Sequence, residues 1–241
     1  MTEAPGVLIT RPDPDGAALA AVLAARGWRP VACPLLRFVP LTAAIDPTGI
    51  AALVFTSANG VRAAPADAAL HALPVWAVGE ATAQAARDAG FRSVRAGPSD
   101  AAALAHAILA DPPSRGSRLL HLRGRHGAPG LAQALAAGGL HLTEVPIYRM
   151  DAAEALPPEA VQALNARRLR AVPVYSPRTG RVLTALTAGR FDLGAVTAVA
   201  ISPAAAAPLA GAGFAAVRTA ARPDGKAMLA ALDALRAEVA A

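Results

Sequence analysis

Two stretches of the chain set small polar residues where an apolar strand runs out and a helix takes over. Residues 53–64 read LVFTSANGVRAA, and residues 171–186 read AVPVYSPRTGRVLTAL. Leu53, Val54 and Phe55 suit a buried strand, Ser57 suits a helix N-cap, and Val61 to Ala64 continue as helix, which leaves the first backbone N–H groups pointing outward. Such a turn holds an anion. The plainer reading is that Ser57 only caps its helix and Asn59-Gly60 eases the turn. Caps outnumber ligand sites, so the stretch alone does not establish a binding role.

Other reactive constellations are missing. The sequence has no Walker loop, no GxGxxG after a strand and no Cys/His cluster with metal spacing. HLRGRH puts His121 and His126 in a strand and its following turn, a separation unsuited to one metal, so both read as structural or solvated. Ser57 and Ser176 lack the GxSxG elbow of a serine hydrolase. The net charge of +6 is carried almost wholly by arginine, with Lys226 the only lysine. That balance excludes a cationic ligand and favours an anionic one. The arginines are dispersed rather than clustered among aromatics, which argues against nucleic acid.

The elements that position these residues come in repeats. VWAVGEATAQAARDAGF, ending at Phe91, lines up with VAISPAAAAPLAGAGF, ending at Phe214, and GPSDAAALAHAIL is echoed by ARPDGKAMLAAL. A second type of segment, residues 10–37, matches residues 122–149 without a gap, setting Arg11 on Arg123, Gly27 on Gly139, Pro34 on Pro146 and Arg37 on Arg149. The chain is an internal duplication in the order one, two, one, two. Either neighbouring or swapped segments could pair into domains. The swapped pairing is preferred: a discontinuous domain of residues 1–37 plus 151–241, and an inserted domain of residues 38–150. The tails PLLRFVP and PIYRMDA would then form a paired crossover.

Length and composition predict two small α/β domains with parallel sheets. At 241 residues the chain lies near the size where single cores divide, and short apolar strands alternate with alanine-rich helices. Much of the 54% hydrophobic content is alanine and only 4% is aromatic, so each core is modest. The uncharged run between Asp192 and Arg218 imitates a membrane span. Pro203, Pro208, Gly211 and Gly213 interrupt it, and its repeat partner carries Glu80, Arg87 and Asp88, which predicts strand, turn and helix. The first ten residues do not resemble a signal peptide, and Cys33 has no partner for a disulfide. Both point to the cytoplasm.

The ordered set VLITRP, LVFTSANGV, VWAVGEATA with its following G-F, LLHLRG, PIYR and VYSPRTG resembles the uroporphyrinogen-III synthase family over nearly the whole chain. The resemblance implies two α/β domains joined by a two-stranded connector, the first built from both chain ends, with the active-site cleft between them. It implies a cofactor-independent cyclising lyase of porphyrin (haem) biosynthesis that closes hydroxymethylbilane to uroporphyrinogen III with loss of water and inversion of the last pyrrole ring. It further implies no metal, a monomer, and transient handover of substrate from hydroxymethylbilane synthase.

On the same ground, TSANG and SPRTG offer backbone N–H groups, Ser57, Asn59 and Ser176 to acetate and propionate groups, while Arg11 and Arg178 add charge-assisted bonds. Thr82 matches a site-facing threonine, helix capping being its alternative. Tyr148 matches the family's cleft tyrosine, whose phenol donates to the departing hydroxyl. Where the family often has Gly-Pro-Thr-Thr-Ala, this chain has Ser-Pro-Ala-Ala-Ala from Ser202, so only Ser202 replaces a lost hydroxyl. A rival reading is a non-catalytic two-domain cytoplasmic sensor of a small anion. A transferase with a nucleotide-linked donor lacks its phosphate loop.

Overall fold

The computed structural model of the protein describes residues 4–98, 100–113, 117–126 and 130–240. Residues 1–3 of the N-terminal stretch, residue 99 of GPSD and residues 127–129 of the second type-one segment lie outside the described residues. The chain divides into two compact units, Met1–Arg37 with Asp151–Ala241, and Phe38–Met150.

The chain opens with β1 (Gly6–Ile9), α1 (Asp15–Ala25), β2 (Arg29–Ala32) and β3 (Leu36–Pro40). It continues through β4 (Ile50–Phe55), α2 (Ala58–Ala63), α3 (Ala68–His71), β5 (Val75–Val78), α4 (Gly79–Asp88), β6 (Val94–Gly97) and α5 (Ala101–Ala110). Next come β7 (Arg118–Gly124), α6 (Leu131–Ala137) and the long β8 (His141–Ala152). The last part is α7 (Pro158–Asn165), β9 (Leu169–Val174), α8 (Pro177–Thr187), β10 (Thr197–Ala200), α9 (Pro203–Ala206), a 3₁₀ turn (Ala207–Leu209), β11 (Ala216–Thr219) and α10 (Gly225–Ala240).

The duplication is visible in the turns. Gly27 after α1 and Gly139 after α6 adopt φ of 81° and 80°, a left-handed conformation that glycine enters without a Cβ clash. Each helix end is closed by the same pair of bonds: Trp28 N to Leu23 O and Gly27 N to Ala24 O in one, Leu140 N to Leu135 O and Gly139 N to Ala136 O in the other.

In the first unit the sheet order is β11-β10-β9-β1-β2, and every pairing is parallel. In the second it is β3-β8-β7-β4-β5-β6, with parallel pairing from β8 to β6. Setting β3 aside, the two orders correspond. A type-one pair runs outward on one side and three type-two strands run outward on the other, meeting at β1/β9 and at β7/β4. At such a reversal the connecting helices diverge and leave a crevice at the carboxyl ends of the strands.

β3 stands outside the parallel pairing. Leu41 N donates to Ile147 O and Ala153 N to Leu35 O, so numbering falls along one tail as it rises along the other. β3 is therefore an antiparallel edge on β8. A chain that leaves along one tail and returns beside it along the other must run in opposite directions.

Strand alternation supplies two cores per unit, one on each sheet face. Leu8, Val172 and Val174 pack with Leu35, Leu183 and Leu209, while Val7, Ile9 and Val199 pack with Leu23, Trp28, Met228 and Leu232. In the second unit Leu53, Phe55 and Leu122 meet Phe91 and Tyr148, while Val54 and Leu119 meet Trp76, Leu104, Ile108 and Leu135. Strands buried on both faces read as continuous apolar runs, as β1 and β4 do. Among the described residues no helix is long and apolar enough to cross a membrane, and the uncharged run is β10, α9, the 3₁₀ turn and β11.

Because one sheet and both its faces lie within the second unit, residues 36–152 expressed alone should fold cooperatively. Coincident far-ultraviolet and tryptophan denaturation curves would show it. A segment without a sigmoidal transition would contradict this division of the chain.

Candidate active site

The residues singled out from the sequence collect at carboxyl ends of strands. Arg11 follows β1, Ser57 and Asn59 follow β4, Thr82 follows β5, Ser176 and Arg178 follow β9, and Ser202 follows β10. Tyr148 lies within β8 and pairs in register with Gly124, the last residue of β7.

In the second unit the central contact joins two of the expected residues. The Tyr148 phenol is hydrogen-bonded to the Ser57 side chain, and the ring stacks on Phe38 with centroids 5.3 Å apart. Burial pushes the phenol above its ordinary range, while the Ser57 bond, which favours phenolate, opposes that rise. Ser57 Oγ also accepts from Asn59 N at 3.2 Å, so it caps α2 and holds the phenol together. Asn59 is occupied: its Oδ1 accepts from Arg62 at 2.8 Å, and its amide nitrogen lies 3.9 Å from Met150 Sδ.

Two glycines make the close packing possible. A Cβ on Gly60 would come within 2.7 Å of Leu122 O, so this glycine lets α2 approach β7 and is not there to ease a turn. A Cβ on Gly124 would lie 2.8 Å from Tyr148 Cζ and 3.0 Å from its oxygen. Thr82 is buried at the fourth position of α4, whose N-cap is Val78, so the capping alternative does not hold. α4 packs on α2.

The first unit presents a related arrangement. Ser176 Oγ caps α8 by accepting from Thr179 N at 3.1 Å and shares a 2.8 Å hydrogen bond with Thr179 Oγ1. Ser202 Oγ caps α9 through Ala205 N at 3.3 Å. Arg11 is already engaged, with Nη2 2.6 Å from Asp15 Oδ2 and its guanidinium 4.5 Å above the Tyr175 ring. Arg11 also hydrogen-bonds Tyr175, whose phenol is raised above its ordinary range by burial and lowered in part by that arginine. Arg178 is half-buried and has no ion-pair or hydrogen-bond partner among the described residues.

Several neighbours were not singled out from the sequence. Tyr175 sits inside VYSPRTG and matches Thr56 of the other repeat, a signal that was present but unused. Gly124 carries none, because only the register shows that Tyr148 lies across from it. Of the two histidines expected to be structural or solvated, His126 is exposed. His121 is 4% exposed, with Nε2 3.0 Å from Thr56 Oγ1 and Nδ1 3.2 Å from Glu144 Oε1. Among the described residues no group of three or more His, Cys, Asp or Glu side chains is placed to hold a metal.

The family model described as uroporphyrinogen-III synthase HemD matches residues 17–230. The fold is similar to that of the uroporphyrinogen-III synthetase of Helicobacter pylori 26695, at 20% identity, covering 96% of this chain and 99% of that one, with a TM-score of 0.67. It is similar too to a mutant uroporphyrinogen III synthase of the extremely thermophilic bacterium Thermus thermophilus, at 18% identity, covering 98% and 100% of the chains, with a TM-score of 0.52. No curated protein matches the chain.

The chain has two tyrosines, and burial raises both above the ordinary value of 10.0. A raised phenol stabilises the fold below the unfolded tyrosine pKa, and this stabilisation is lost as pH climbs through the folded value. Absorbance titration near 295 nm should show less than half of the tyrosinate signal at pH 10. Stability to denaturant should fall above that pH. Two phenols half-ionised at pH 10 in the folded protein would contradict their burial.

Proposed function

The chain belongs to the uroporphyrinogen-III synthase family, and we propose that the groups at the strand ends carry out that family's reaction on hydroxymethylbilane. The family's enzymes are cofactor-independent cyclising lyases, and the activity is closure of hydroxymethylbilane to uroporphyrinogen III with loss of water and inversion of the last pyrrole ring. The rival reading, an anion sensor, is left without support by this membership.

The observation that carries the proposed roles is the Tyr148 phenol held by Ser57. Ionisation breaks the carbon–oxygen bond of the terminal hydroxymethyl group as the pyrrole nitrogen lone pair moves in, giving an azafulvene. The hydroxyl leaves as water once it has gained a proton. A neutral phenol donates a hydrogen bond to that oxygen, and Ser57 supports the negative charge that develops on the phenol oxygen. The substituted carbon of the last pyrrole then attacks to give a spiro centre, which reopens and rejoins with that ring inverted, and loss of a proton restores the pyrrole.

The rest of the work is positioning, because the substrate is a flexible polyanion. Ser57, Asn59 and Thr82 from the second unit, with Arg11, Ser176, Arg178 and Ser202 from the first, hold its acetate and propionate groups in this reading. Of these two arginines, Arg178 has no ion-pair partner among the described residues, and Arg11 contributes only the donors left over from Asp15 and Tyr175. We also place the reaction in the cytoplasm, on a monomer supplied by handover from hydroxymethylbilane synthase. Cys33, a free buried thiol pushed up to about 12, fits a reducing compartment. Size-exclusion chromatography at micromolar protein checks the monomer.

Purified protein without added metal or nucleotide should divert freshly made hydroxymethylbilane to the type III isomer, read by chromatography after oxidation. Type I alone at every protein concentration would overturn the activity. Tyr148→Phe should keep the fold and slow turnover about 10- to 100-fold, roughly 1.4 to 2.8 kcal/mol of barrier. An unchanged rate would remove the phenol from the chemistry.

A further inference from the structure

The side chain of His121 lies on β7 beside Glu144 of β8, its cross-strand partner, and diagonally from Thr56, two residues beyond its β4 neighbour Val54. Its two ring nitrogens face different groups. Nδ1 is 3.2 Å from Glu144 Oε1, and Nε2 is 3.0 Å from Thr56 Oγ1. A carboxylate beside Nδ1 fixes the proton there, since the other tautomer would set a lone pair against a negative oxygen. Nε2 then accepts from the Thr56 hydroxyl. Burial holds the imidazole neutral by pushing its pKa below the ordinary range, against the opposing pull of Glu144.

The chain of contacts continues past the histidine. Arg123 Nε is 3.1 Å from the same Glu144 oxygen, an ion-pair contact off the line of a hydrogen bond. Arg123 Nη1 donates to Gly124 O at 3.0 Å and to Arg125 O at 3.3 Å. Gly124 is the residue against which the Tyr148 ring is packed, and Arg125 N donates to Tyr148 O at 2.8 Å. At the other end, Thr56 is bonded through the backbone to Ser57, the partner of the Tyr148 phenol. One polar chain thus reaches the backbone on both sides of the Ser57–Tyr148 pair without contacting the two hydroxyls.

We propose that His121 is a positioning residue for the cyclisation, the centre of a Thr56–His121–Glu144–Arg123 brace that fixes the ends of β4 and β7 and so holds the phenol and the serine in register. The proposal rests on the reading of Tyr148 given above. Its logic is that a hydrogen bond between two side chains on different elements survives only if both elements are fixed, and sub-ångström displacement of a donor costs rate before it costs fold.

The experiment compares Thr56→Val, His121→Leu, the double variant and His121→Gln, whose side-chain amide reaches the position of Nε2. Each loss variant should lower kcat about tenfold, with KM for hydroxymethylbilane changed less than about threefold. The double variant should be no slower than the worse single one, because a broken brace cannot be broken twice. His121→Gln should recover most of the rate. A merely structural histidine would instead lower the active fraction and melting temperature, leave kcat per active site unchanged and gain nothing from glutamine. Nitrogen-15 spectra of the wild-type histidines at neutral pH should show His121 as a neutral ring protonated at Nδ1. An imidazolium or an Nε2–H tautomer would overturn the brace whether or not the protein is active. Wild-type protein yielding only the type I isomer would overturn the functional reading and, with it, the role of the brace in the cyclisation.

Discussion

The hydrogen bond between Tyr148 and Ser57 is the contact on which the proposed chemistry depends, and much of the second unit exists in the form needed to make it. A phenol on β8 reaches a serine after β4 only because β7 lies between those strands and ends in a glycine, and because α2 approaches β7 over a second glycine. Neither position tolerates a methyl group without displacing backbone or ring. Sheet order, register and two missing Cβ atoms converge on one contact.

The two units solve the same geometric problem with different side chains. After β4 stands Thr56, bonded to a histidine, and after β9 stands Tyr175, bonded to an arginine from the loop beyond β1. Both place a hydroxyl at the point where sheet order reverses, and both follow it with a capping serine. What differs is charge. In the second unit, Glu144 and Arg123 balance each other around a neutral ring, whereas the first carries Arg11 against Asp15 and an Arg178 with no ion-pair partner among the described residues. The two halves of one duplication thus differ in the charge they carry at matching strand ends.

The sequence made the repeats legible because punctuation residues repeat with them. Gly27 and Gly139 are matched in the alignment and end their helices with the same φ and the same pair of bonds. Ser57 was readable as a cap for a similarly local reason, and Ser176 and Ser202 cap their helices in the same way. Contacts across the sheet were not legible. That Gly124 faces Tyr148, that Thr56 meets His121 and that β3 turns antiparallel all follow from register, which depends on strands far apart in the chain. Thr82 shows the intermediate case: its strand and helix were predictable, but its depth within α4 was not, because the helix begins at Gly79 without a side-chain cap.

The antiparallel tails bear on how the chain assembles. Strand β1 cannot find its neighbour β9 until Leu169–Val174 has left the ribosome, and by then all of β4 through β8 has been made. Joining the termini of a flexible loop that long carries an entropic cost growing with the logarithm of its length. Once the insert has folded, however, the chain enters along β3 and exits along β8, side by side, with Ala153 N on Leu35 O. A loop of more than a hundred residues then behaves as a hairpin, and the discontinuous unit closes its sheet as though the insert were a tight turn.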